Sequence, residues 1–312
     1  MTPSATVAGT DTLTFPVLMD RAMVWTRGHL RSVVLPLAAP LAVFDAAVAA
    51  VQVPWLQQLY DPSALAAESG FDSSCAIVLV GFGSAAVSWL VYCAVGAAAT
   101  DAVAGRPVAA WDRLRFVLRP GPLGTLLLSG VLVGISYLCC VVPVLYVAPL
   151  LSLTVPALVE EDRRGLDAVG RSANLIRYNP QRRFLANPLT KAFVLFLVTA
   201  LISVLVSLVT TAPFQIAQQW SVLRDLGAAE AAAPPEWTLW LQVPGAAVNA
   251  FVSTAVVLYA TFGFALLFFD VRRRKEGLDL EAAVAELERE RSGGREPAGE
   301  LGPDGPPEEG PR

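Results

Sequence analysis

The chain alternates long apolar stretches with short polar ones. Four stretches hold no Asp, Glu, Lys or Arg: 73–100, 120–159, 192–223 and 237–269, of 28, 40, 32 and 33 residues. A fifth, 32–60, is interrupted only by Asp45. A helix crosses the hydrocarbon core of a membrane in about 20 residues. The stretch 120–159 would make a helix of roughly 60 Å at 1.5 Å per residue, about twice the core, so it must fold back. Its turn falls at Cys139-Cys140-Val141-Val142, with Pro143 opening the return helix. The predicted fold is all-α: a polytopic transmembrane helical bundle with about six spans, near 32–53, 75–99, 122–140, 143–159, 192–212 and 244–269. Helices are required because a lipid-exposed sheet edge leaves backbone groups unpaired.

The polar connections also carry helical periodicity. In 14–30, Leu18, Ala22, Trp25 and His29 share one side, with Asp20, Arg21 and Arg27 elsewhere. In 110–119, Trp111, Leu114 and Leu118 stand apart from Arg113 and Arg119. In 164–178, Leu166, Val169, Ala173 and Ile176 stand apart from Arg171 and Arg177. Each reads as a basic amphipathic helix lying in the cytoplasmic headgroup plane ahead of an outward span. The chain then parses into three units of interfacial helix, outward span and return span, near 14–100, 108–160 and 164–270. The expected domains are a disordered N-terminus (1–13), the six-span membrane domain (14–275), a cytoplasmic helix (276–291) and a disordered acidic tail (292–312).

Charge placement sets the orientation. Of 23 Lys and Arg, all but Arg224 fall on one side of these spans. The positive-inside rule puts that side, and both termini, in the cytoplasm. Residues 1–13 have neither the basic n-region nor the apolar h-region of a signal peptide, so the first span is expected to remain as an anchor. Arg outnumbers Lys 21 to 2 and Ala is abundant, a composition expected of a GC-rich bacterium and hence of an inner-membrane location. Charged residues make up 16% of the chain, against about 25% in soluble domains, which argues against an ordinary soluble enzyme. The net charge of −4 divides into −7 for 276–312 and +3 for 1–275, so the membrane part is mildly basic.

Candidate chemistry is sparse. Gly81-Phe82-Gly83-Ser84-Ala85-Ala86 imitates a dinucleotide fingerprint, but apolar sequence runs straight on through Trp89 to Tyr92, as in a membrane span. Gly130 and Gly134 form a G-x-x-x-G face for close helix packing, within the chain or between copies. Asp45, the one charge well inside a span, marks an ion or proton path, or a carboxyl group bonded to a neighbouring helix. The cysteines read first as small apolar residues, with a disulfide between Cys75 and Cys139 or Cys140 as the alternative that an outer location permits. Arg272, Arg273, Arg274 and Lys275 close the last span as a stop-transfer anchor and as candidate contacts for anionic lipid. His29 is the sole histidine and no Cys-x-x-Cys occurs, so no metal site, catalytic residue or cofactor is expected.

Two segments carry a family likeness. Pro156-Ala157-Leu158-Val159-Glu160 followed by Gly165-Leu166-Asp167-Ala168-Val169-Gly170-Arg171-Ser172-Ala173-Asn174-Leu175-Ile176 resembles the pattern of bacterial six-span proteins described as glycerophosphoryl diester phosphodiesterase membrane domain-like. The ending Asp270 to Gly277, continuing to Asp279-Leu280-Glu281, is similar to theirs. The resemblance covers about residues 14–281 and implies a six-span membrane part without its own established activity. The catalytic domain sometimes fused to such proteins needs paired histidines and metal-binding carboxylates, so phosphodiesterase activity is not carried over.

The function expected from the sequence is that of a non-enzymatic integral inner-membrane protein. It would scaffold envelope processes or contact lipids and partner proteins, with no nucleic-acid partner. The alternative is a transporter or channel that uses Asp45 and the Pro-interrupted spans (Pro36, Pro40, Pro149, Pro156).

Overall fold

The computed structural model describes residues 13–60, 70–139, 141–177, 187–225, 240–276 and residue 284. All regular structure among them is helical. In chain order the helices are α1 (Phe15–His29), α2 (Leu35–Tyr60), α3 (Gly70–Val103), α4 (Ala110–Val117), α5 (Pro120–Cys139), α6 (Val141–Leu151), α7 (Thr154–Glu161), α8 (Leu166–Ile176), α9 (Pro188–Asp225) and α10 (Gln242–Glu276). Five helical stretches are long and apolar enough to cross a membrane, or six if the bent pair α4 and α5 counts as one. Thr12–Val271 forms one compact unit, and the last residues of α10, from Arg272, lie outside it. The expected disordered ends and the helix over 276–291 lie outside the described residues, save Glu276 and Val284.

The first expected connection takes a different form. α1 does not stop before the first span; a π turn at Leu30–Val34 joins it to α2, and Phe15–Pro54 runs as one 40-residue helical stretch. Pro36 sits just beyond that turn and lacks the N–H that Ser32 would normally receive, so one wider turn restores the ladder. The second connection does bend: α4 meets α5 at 77° across Leu118 and Arg119. Pro120 opens α5 at a position where a missing N–H costs nothing.

The stretch 143–159, expected as one span, falls in Pro143–Glu161, which is long and apolar enough to cross a membrane; its helix is interrupted at Ser152 and Leu153, which separate α6 from α7. Pro156 cannot donate to Ser152, and the Ser152 hydroxyl turns back to the Pro149 carbonyl at 2.7 Å. α9 starts with Asn187 as its cap, whose side-chain oxygen accepts from the Leu189 N–H at 3.3 Å, and Pro188 at the first position.

α10 is the central element: 61% of its most apolar window is buried, with Leu258, Phe262, Ala265, Leu267 and Phe268 fully enclosed. α9 lies at the other extreme, with 11% buried and Leu197, Leu201, Val204, Leu205 and Leu208 exposed along one side. The two meet closely at Gly263, where a Cβ would stand 2.7 Å from a methyl of fully buried Leu195. Only glycine allows that approach without moving a core side chain.

The short helices bury small residues. α4 turns Ala110 and Val117 inward and leaves Trp111 and Leu118 exposed. α8 turns Ala168, Ser172, Leu175 and Ile176 inward and leaves Leu166 exposed. The stripes expected from periodicity split: Leu114 and Ile176 pack on the bundle, while Trp111, Leu118 and Leu166 are exposed. α1 matches its stripe better, burying Leu18 and Ala22.

Candidate functional site

Polar side chains gather at the end of the bundle where the basic residues lie. Asp101, in the last turn of α3, has a fully buried side chain. Its carboxylate accepts from Arg106 Nε at 2.8 Å and Arg113 Nη2 at 2.7 Å, and Arg113 Nε also pairs with it. Arg106 extends the cluster, with Nη2 placed 2.8 Å from Glu160 Oε2 on α7. A carboxylate removed from water needs such partners, because the desolvation cost is recovered only when its lone pairs are filled.

A second cluster repeats the relation. Glu161 ends α7 with a nearly buried side chain. Arg171 of α8 grips it with two N–H groups, Nε to Oε2 at 2.9 Å and Nη2 to Oε1 at 2.8 Å, and Arg163 adds a contact at 2.8 Å. In both clusters an acid in the last turn of one helix holds an Arg on the next short helix, 12 residues on in the first and 10 in the second.

The third cluster is built from distant parts. Lys191, in the first turn of α9, is buried and donates to the Leu13 carbonyl at 2.6 Å. Asp270, near the end of α10, lies 3.6 Å from the same ammonium. Acids near the ends of α3, α7 and α10 thus each hold a cation, and the third cation also fastens the chain just ahead of α1.

Loop geometry supports the second cluster. Gly165, before α8, has φ +60° and ψ −136°, a conformation open essentially to glycine alone. Its N–H donates to Thr125 Oγ1 of α5 at 2.7 Å, and that hydroxyl donates in turn to the Gly121 carbonyl at 3.0 Å.

Deeper in the bundle lies a cavity of about 380 Å³ between α3, α5, α6, α7, α9 and α10. Trp89, Ala148, Val155, Phe196 and Val257 form much of its wall. The hydroxyls of Ser129, Ser152, Thr199 and Thr261 also line it, but each donates to a carbonyl of its own helix. Thr154 differs: its Oγ1 is buried and has no hydrogen-bond partner. The carbonyl one turn back, Leu150, already accepts from Ser172 at 2.5 Å.

The sequence-derived candidates fall as follows. Asp45 accepts from Ser84 of α3 at 3.0 Å and is not among the residues lining the cavity. Gly130 faces the Trp89 indole, which a Cβ would meet at 3.4 Å, while Gly134 faces open space within this chain. Within one copy, therefore, only the first glycine of the pair accommodates a neighbour. Cys139 is an exposed free thiol and Cys93 a buried one; the Cys75 side chain and Cys140 lie outside the described residues. Arg272, Arg273, Arg274 and Lys275 occupy the last turns of α10, at the negative end of its dipole. Among the described residues, no group of three or more His, Cys, Asp or Glu is arranged to hold a metal ion.

The pattern of charge-free stretches does not single out the ion-pair clusters; it marks Arg113 and Arg171 as polar sides of short helices and as guides to orientation. The available signal was an acid at the end of a charge-free stretch followed by an Arg 10 or 12 residues later. No family model matches this chain, and no match to it was found among curated proteins or solved structures.

Proposed function

We propose that the protein is a non-enzymatic, multi-pass inner-membrane protein of a bacterium that scaffolds envelope processes by contacting lipids and partner proteins. Its basic end and both termini would face the cytoplasm. The observation that carries this reading is how the polar groups are used. Asp101, Glu161 and Asp270 hold Arg113, Arg171 and Lys191 in structural pairs, and Asp45 of α2 is bonded to Ser84 of α3. These acids fasten helices together and do not line a common path.

Further support comes from the exposed apolar residues on short basic helices. Trp111 of α4, Leu118 just after it and Leu166 of α8 suit insertion into the headgroup boundary, as expected of interfacial helices. Arg272 to Lys275, in the last turns of α10, suit anionic headgroups. The resemblance to six-span membrane proteins of the phosphodiesterase-associated type is consistent with this assignment.

Two experiments test the reading. Reporter fusions after Lys275 and within 226–239 should report opposite sides of the membrane. Purification from native membrane should retain anionic lipid and recover a reproducible partner. Proton or solute flux in proteoliposomes that disappears in Asp45→Asn would instead establish the transporter alternative.

A further inference from the structure

We infer that the cavity between α3, α5, α6, α7, α9 and α10 is a binding site for one acyl chain of a membrane lipid. The inference rests on the reading that the bundle spans a membrane. Depth is the first argument. Gly96, Val155, Phe196 and Phe264 line the cavity five or six residues from Asp101, Glu161, Lys191 and Asp270. Trp89, Ser203 and Val257 line it 12 or 13 residues from Asp101, Lys191 and Asp270. At 1.5 Å per residue, the space lies roughly 8 to 20 Å from the level of the ion pairs, at the depth of lipid tails and not of headgroups.

The wall chemistry agrees. Four of the hydroxyls are turned to their own helix carbonyls, so the surface offered is close to that of hydrocarbon. Water gains little in such a space, since it needs two to four polar partners. The volume of about 380 Å³ holds on the order of a dozen non-hydrogen atoms at about 30 Å³ each, the scale of an acyl-chain segment.

Access is lateral. Ala200 and Ser203 line the cavity and are themselves exposed, on the helix with the least burial in the bundle. A chain can therefore enter from the bilayer beside α9 without crossing a polar barrier. Thr154 adds one buried hydroxyl without a hydrogen-bond partner to this otherwise apolar wall.

The test uses the full chain in nanodiscs of phosphatidylglycerol and phosphatidylethanolamine, doped with phosphatidylglycerol bearing a diazirine in one acyl chain. After illumination, labelled residues are mapped by mass spectrometry. Labelling is expected on Phe196, Val257 and Phe264 inside the cavity, and on Leu205 of the outer face. Ala148→Phe should lower labelling inside about tenfold, equivalent to about 1.4 kcal/mol of lost binding, and leave Leu205 unchanged. If Ala148→Phe does not fold, Ala200→Phe at the mouth should give the same contrast. A parallel arm with a diazirine fatty acid tells a whole phospholipid from a free acid by which labels the cavity more strongly. Cavity labelling that is absent, or that persists unchanged in both variants, overturns the inference. Loss of labelling at Leu205 would instead refute the membrane-spanning reading beneath it.

Discussion

Arg113 of α4 binds Asp101 of α3 through two nitrogens, although Asp101 has no exposed side-chain surface. A carboxylate so placed gets little help from water. Its charge is compensated by Arg113 and Arg106 alone among the contacts described. The pair therefore fixes where the chain turns back toward α5.

Removing one partner should cost far more than removing both. Asp101→Asn leaves two guanidinium groups facing a neutral amide, and about 3–5 kcal/mol of stability should be lost. Asp101→Leu with Arg113→Met should recover a large part of it. A double-mutant cycle on detergent-solubilised protein, read by thermal unfolding, checks this. Additive losses would mean that the two residues are not coupled.

Lys191 donates a hydrogen bond to the Leu13 carbonyl, just ahead of α1. Lys191→Met should free that segment and leave Asp270 with one cation fewer. Limited trypsin digestion from the basic side should then cut at Arg21 markedly faster than in the native protein. Cleavage at Arg274, in the last turns of α10, should change much less.

Gly263 and Gly165 should respond differently to substitution. At Gly263, alanine gains about 1 kcal/mol of helix propensity but overpacks against Leu195 by about 1–3 kcal/mol, so the net loss is small. Gly263→Val has no such compensation and should lower the unfolding temperature clearly. At Gly165, any Cβ is strained whatever the space around it, so Gly165→Ala alone should be destabilising by about 1–3 kcal/mol.

Asp45→Asn should be close to neutral for stability, because an amide oxygen still accepts from Ser84. Asp45→Leu leaves that hydroxyl without its acceptor and should cost about 1 kcal/mol. Equal, large losses in both variants would show that the carboxylate charge itself is needed.

Cys139 ends the 20-residue α5, roughly 30 Å along its axis from the basic end. In a Cys75→Ser, Cys140→Ser background, a membrane-impermeant maleimide should label Cys139 from outside intact cells. Cys93, buried in the bundle, should react only after denaturation. Labelling of Cys139 only after the cytoplasmic side is opened would reverse the orientation.

The spans were legible because lipid imposes a simple rule: about 20 residues without charge. The breaks were legible in part, since Pro143, Pro149 and Pro156 interrupt the helix ladder locally. What the pattern could not give was direction. Arg106, Arg113, Arg115 and Arg119 look alike in sequence, yet the described contacts bring only Arg106 and Arg113 to Asp101. That choice depends on the 77° bend at Leu118 and Arg119, a property of two helices together. The continuity of α1 with α2 was hidden for a similar reason, because Pro36 suits the start of a new helix as well as it suits the π turn that carries the old one on. The cavity was hidden more deeply still, since its walls come from six helices and share no local motif.

The separations within the three clusters set an order of assembly. Arg113 follows Asp101 by 12 residues and Arg171 follows Glu161 by 10, so these clasps can close soon after each segment is made. Lys191 follows Leu13 by 178 residues. At a synthesis rate of about 5–20 residues per second, the N-terminal segment waits roughly 10 to 35 s for its partner. Asp270 is made later still, so the third clasp is completed only when every span is present, and its closure marks a finished bundle.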